Sequence, residues 1–281
     1  MMNRIFLSMA TVAIGLSAIA QDLPKPSPLG EVKQVVGLTN VDVTYSRPSV
    51  KGRPIFGGLL PFDKLWRLGA NANTTITFDT PVLINGEKLD KGTYSMFAIP
   101  GKDTWMIIFN TNSKQAGEGD YKKEEDALRV KAKPNTCEFT ETLTFDFDAV
   151  KDDRANLQIR WEKTLVSLDI AANATPQALA NIKEAMAGKD ITASTYGNSA
   201  RFMLDRGMQP KEALDWAQTA VKMDPKFYNL YTLALAQAAN NMYKEAIDTS
   251  KRSLQAAQAA GNDAYAKMNN ANIKEWLPKV K

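Results

Sequence analysis

The 281-residue chain has no histidine and a single cysteine, Cys137. Without imidazole, Ser-His-Asp and Cys-His nucleophile arrangements are excluded. So are His-containing zinc sites and the side chain that most often moves protons near neutral pH. Any chemistry falls to carboxylates, lysine, tyrosine or a bound cofactor. One thiol closes no internal disulfide and builds no structural zinc site. Thr136-Cys137-Glu138-Phe139 alternates like a strand, so Cys137 reads as a buried, inert thiol. The chain also lacks a Walker loop, a G-x-S-x-G elbow and a dinucleotide fingerprint. Asp146, Asp148, Asp152 and Asp153 lie close in sequence, but no Gly-bearing calcium loop surrounds them. The net charge is only +4, with no long Lys/Arg run, which argues against nucleic acid as a partner. No cofactor and no metal site is expected.

The amino terminus reads as an address. Arg4 precedes an apolar run from Ile5 to Ile19, and Ala18-Ile19-Ala20 gives a small-residue cleavage pattern before Gln21. This is the pattern of a secretory signal peptide over residues 1–20, cleaved after Ala20. The run is shorter than the roughly 20 apolar residues a spanning helix needs, and no later stretch is apolar enough to cross a bilayer. The expectation is an exported protein, periplasmic or secreted, with no membrane span.

Two hydropathy periods follow. From about Val32 to Ile170, apolar residues recur every second position in short runs such as LTNVDVTY, TTITF, TYSMFAI, WMIIF and ETLTFDF. Turn signals separate them, which predicts an antiparallel sandwich or barrel over 21–172. Asn85-Gly86 is a two-residue hairpin signal, and Glu162-Lys163 is a weaker one. From 173 to 281 the chain is Ala-rich with helical spacing. Thr175 is expected to cap the first helix, with Pro176 in its first turn. Lys211-Glu212-Ala213-Leu214-Asp215 returns as Lys244-Glu245-Ala246-Ile247-Asp248, 33 residues on. That period resembles the tetratricopeptide repeat, although the Trp-Leu-Gly motif of its first helix is missing. The fold class is therefore multi-domain α+β: a β-sandwich or barrel followed by an all-α, tetratricopeptide-like helical-repeat domain.

Within the alternating region stands an irregular stretch, YSRPSVKGRPIFGGLLPFDKLWRLGAN, Tyr45 to Asn71. Pro48, Pro54 and Pro61 forbid a regular ladder, and its aromatics argue against disorder. A long crossing that packs Phe56, Phe62 and Trp66 on the sandwich is expected. The segment's motifs, with Gly92-Thr93-Tyr94-Ser95, Ile99-Pro100-Gly101, Trp105, Ile108-Phe109-Asn110 and Glu125 to Val130, resemble the DUF2911 family. The resemblance covers roughly residues 25 to 170. It implies an exported bacterial protein of a kind common among Bacteroidetes, often with a helical repeat after the β domain, and it assigns no activity.

Arg47, Arg53 and Arg67 have two readings. They can pin the loop to carbonyls and carboxylates such as Asp126, or form a fork for a carboxylate, sulfate or phosphate. In the second reading Trp66 or Trp105 offers a stacking face for a sugar or planar group. The candidate binding residues are Arg47, Arg53, Trp66, Arg67, Asn71, Trp105, Asp126 and Arg129, with no catalytic residue and no metal ligand. The leading expectation is a binding module for a small anionic or carbohydrate ligand whose helices dock a protein partner. Two alternatives stand beside it. One is a carboxylate-dependent enzyme acting on polysaccharide or envelope substrates, using Glu125 or Asp126 with Arg47 and Arg67. The other is a structural envelope scaffold.

Overall fold

The computed structural model describes residues 23–280, so the expected signal peptide lies outside the described residues. The chain divides into a unit ending at Asn173 and a unit beginning at Ala174.

The first unit is built from β1 (Leu29–Val36), β2 (Thr39–Ser46), β3 (Thr74–Phe78), β4 (Val82–Ile84), β5 (Glu87–Leu89), β6 (Gly92–Ile99), β7 (Trp105–Asn110), β8 (Asp126–Ala132), β9 (Pro134–Lys151) and β10 (Arg154–Ala172). One sheet runs β1-β2-β3-β6-β7-β8 and the other β5-β4-β10-β9, with every pairing antiparallel. Strands β1 and β8 remain opposite edges of the larger sheet, so the unit is a sandwich and not a closed barrel. Alternation produces the core directly. β3 buries Thr74, Ile76 and Phe78 and turns Thr75 and Thr77 outward. Val41, Val43 and Tyr45 of β2 meet Leu143 and Phe145 of β9 within one apolar cluster.

Asn85-Gly86 forms the expected hairpin between β4 and β5. Both residues have positive φ, 50° and 88°, the conformation of a type I′ turn. Glu162-Lys163 does not form one: β10 runs unbroken through it. The register against β9 slips on either side of Glu162, which adopts φ 56°. This bulge explains why the inward residues change parity, from Leu157, Ile159 and Trp161 to Val166, Leu168 and Ile170. A hairpin and a bulge break the period alike, and only partner strands distinguish them.

Alternation places Phe97 and Ile108 on the face of the larger sheet away from the inter-sheet core, yet both are fully buried. The Tyr121 ring packs against Phe97 at 5.1 Å. The segment between β7 and β8 therefore covers that face.

The second unit comprises α1 (Thr175–Met186), α2 (Ala193–Asp205), α3 (Pro210–Met223), α4 (Phe227–Ala239), α5 (Tyr243–Ala259) and α6 (Asp263–Trp276). Each helix packs on the next, and α4 also meets α2 and α6, the arrangement expected of stacked helical hairpins. The repeated Lys-Glu-Ala motif opens α3 and α5. Ala213, Ala217, Ala220, Ala234, Ala236 and Ala246 are fully buried, so small side chains set close approach between helices. Thr175 does not cap α1: Ala174 holds that position, and the Thr175 hydroxyl accepts from Arg206 instead. Among the described residues no helix is long and apolar enough to cross a membrane.

Candidate functional site

Residues 47–73 connect β2 to β3 without a strand or helix of their own. They are nevertheless fixed at three places. Val50 N–H donates to Glu141 O (2.7 Å) and Leu143 N–H to Pro48 O (2.9 Å), so the segment pairs with the outer edge of β9. A tight turn follows, in which Leu59 N–H donates to Pro54 O and Leu60 N–H to Ile55 O. Gly57 has φ 84° there, and any Cβ on Gly58 would collide with the Pro54 carbonyl oxygen, which accounts for the paired glycines. Third, Trp66 and Ala98 exchange both backbone hydrogen bonds at 2.8 Å. They do so on β6 beyond the point where β3 begins, so Trp66 fills an unpaired ladder position. The crossover thus laces one sheet to the other.

An aromatic cluster stands where it does so. Trp66 stacks on Trp161 of β10 with ring centroids 5.8 Å apart and planes 22° apart. Phe56 packs tilted on Trp105 at 4.9 Å and edge-on to Trp161 at 6.3 Å. The Trp66 indole N–H donates to Gly69 O.

Beside this cluster lies a recess of about 350 Å³ whose walls include Lys51, Arg53, Trp66, Arg67, Glu118 and Trp161. Three cations face one carboxylate, which biases the recess toward anions. Arg53 donates from Nε to Val50 O (3.0 Å) and from Nη2 to Ser49 O (2.7 Å), bracing the loop with part of its fork. Arg67 directs Nη1 at both oxygens of Glu118, at 3.0 and 2.8 Å, and Glu118 Oε1 also accepts the Arg67 backbone N–H. Two of the lining residues carry a buried donor with no acceptor among the described residues: Arg67 Nε and the Trp161 indole N–H. Buried donors are nearly always satisfied, and an orphan costs about 1–3 kcal/mol.

The other expected site residues lie elsewhere. Arg47 does not join the fork: its Nε donates to Leu143 O and its Nη2 to Thr144 Oγ1, tying β2's end to β9. Exposed Asn71 donates to Ser27 O and to Ser46 Oγ. Trp105 is 2% exposed and Trp66 4%, with their faces against other rings, so neither offers the stacking face expected of them. Asp126 pairs with none of the loop arginines. Its Oδ2 accepts from Tyr121 (2.7 Å) and Arg129 Nη1 (2.9 Å), and its Oδ1 from Asn110 Nδ2 (2.9 Å). That cluster holds down the segment after β7. Among the recess residues that were not anticipated are Trp161 and Glu118. The inward parity of Leu157, Ile159 and Trp161 was the available signal for the first; an isolated acidic residue in a loop offers none.

Cys137 sits half-buried on β9 rather than buried. Burial raises its pKa, opposed by nearby Arg160, which favours the protonated thiol. Among the described residues no three Cys, Asp or Glu side chains gather in a metal-holding group.

Fold and recess together define a class: a two-sheet β-sandwich with an ordered cationic crossover, in a chain that continues into helical hairpins. The chain matches the family described as Protein of unknown function (DUF2911) over residues 27–170, and it belongs to that family. No curated protein and no solved structure matches it.

Proposed function

We propose that the β unit is a non-catalytic binding module for a small anionic ligand, taken up in the recess beside the crossover. The observation that carries this reading is the coincidence of an excess of cations with two lining residues that each hold a buried, unpartnered donor. The anionic arm of the expectation is favoured over a stacked sugar because both tryptophan faces are covered by other rings. An enzyme centred on Asp126 gains no support, since both its oxygens are engaged in a structural cluster. Export, read from the amino-terminal sequence, places the ligand outside the cytoplasm, and the stacked helical hairpins suit docking of a protein partner.

Thermal unfolding in the presence of carboxylates, sulfate, phosphate and neutral sugars tests this. A ligand that binds only the native state raises the midpoint, by about 2–5 °C near saturation. At least one anion is expected to do so, and Arg67→Met is expected to remove the shift while leaving the unliganded midpoint within a few degrees. No shift with any anion contradicts the proposal.

A further inference from the structure

Resting on that reading of the recess, we propose that its seat is built for a carboxylate, gripped by the Nε–Nη2 edge of Arg67 together with the indole N–H of Trp161. A guanidinium has two edges that can face an acceptor with two parallel N–H bonds. Glu118 takes the Nη1 side of Arg67, with both its oxygens on that one nitrogen. Nε is buried and bonded to nothing, and Nη2 makes no hydrogen bond among the described residues. The remaining edge is the side-on fork, whose planar pair of donors matches the two oxygens of a carboxylate.

Glu118 is the positioning residue. By also accepting the Arg67 backbone N–H, it links side chain and main chain and fixes the guanidinium's rotation. Its own arc is anchored nearby, where Gly117 N–H donates to Asn73 Oδ1 at 2.7 Å. Trp161, 2% exposed, contributes a rigid donor whose orientation is set by stacking on Trp66. Both partners are thus held before any ligand arrives, which lowers the ordering cost of binding. Lys51 and Arg53 add positive potential to the same walls without a fixed planar geometry.

Calorimetric titration of the full chain with glucuronate, succinate, sulfate and phosphate separates this seat from a merely cationic recess. A carboxylate is expected to bind at least about tenfold more tightly than sulfate or phosphate. Arg67→Lys keeps the charge but loses the fork, and should weaken carboxylate binding about tenfold or more. Trp161→Phe should weaken it about fivefold to tenfold through loss of one hydrogen bond. Because Trp161→Phe removes packing as well, the indole N–H resonances of the unaltered protein give a second readout: the Trp161 signal should move on carboxylate addition and stay put with neutral sugars. Arg67→Lys binding as tightly as the parent, tetrahedral anions binding as well as carboxylates, or an unmoved Trp161 resonance would overturn the seat while leaving an anion-binding recess. Absence of binding by every anion overturns the recess reading itself.

Discussion

Replacing Trp66 by alanine is expected to cost the β unit about 3–5 kcal/mol, the largest loss of any single change in the crossover. The side chain is 4% exposed and packs against Phe56, Trp105 and Trp161. Its removal deletes the stacking partner of Trp161 and the hydrogen bond to Gly69 O together. The backbone exchange with Ala98 survives the substitution, so the cost measures the side chain and not the ladder. Urea unfolding followed by far-ultraviolet circular dichroism reads it. Trp66→Phe should recover more than half of the loss, because a ring is restored and only the indole N–H and part of the area are missing. A cost below about 1 kcal/mol for the alanine variant would mean that the crossover lies on the sandwich without bracing it.

The second large effect is at Asp126. Its side chain is 5% exposed and accepts from Asn110, Tyr121 and Arg129. Asp126→Ala leaves those donors without their shared acceptor, an expected loss of about 3 kcal/mol. Arg129 is 30% exposed and can turn to water, which keeps the loss from being larger. Tyr121 supplies a pH signature. Burial first, and the hydrogen bond to Asp126 second, push its phenol up to about 12 from its ordinary 10.0. A raised pKa favours the neutral form in the folded state. Its contribution to stability is therefore complete below about pH 10 and is lost as pH climbs toward 12. Asp126→Ala removes the part due to the aspartate, so the alkaline decline of stability should become shallower. An unchanged alkaline limb would show that the Tyr121–Asp126 contact does not persist in solution.

Strands such as β2 and β3 were legible because alternation survives in a sandwich, where a residue's parity decides its face. Asn85-Gly86 was legible because its turn requires positive φ at two successive positions. The unbroken course of β10 was not, since the parity change at Glu162 has the same one-dimensional signature as a turn. Within the site, the crossover showed itself through its prolines, glycines and aromatics, all of which act locally. Its partners did not. Glu118 lies 51 positions from Arg67, and Trp161 reaches Trp66 only because two sheets face each other. Arg47 illustrates the converse. It shares a motif with Arg53, yet at the end of β2 it meets the backbone of β9 and spends its donors there. Sequence proximity gathered three arginines, whereas the sheet edges separated one of them from the recess.

The most direct measurement is a high-resolution crystal structure of the protein soaked with the carboxylate that raises its melting midpoint most. The expected result is a planar ligand group in the recess, its oxygens within about 3 Å of Arg67 Nε and the Trp161 indole nitrogen, with Glu118 still on Nη1. A recess holding only water, or a ligand bound elsewhere while both donors stay unpaired, would contradict it.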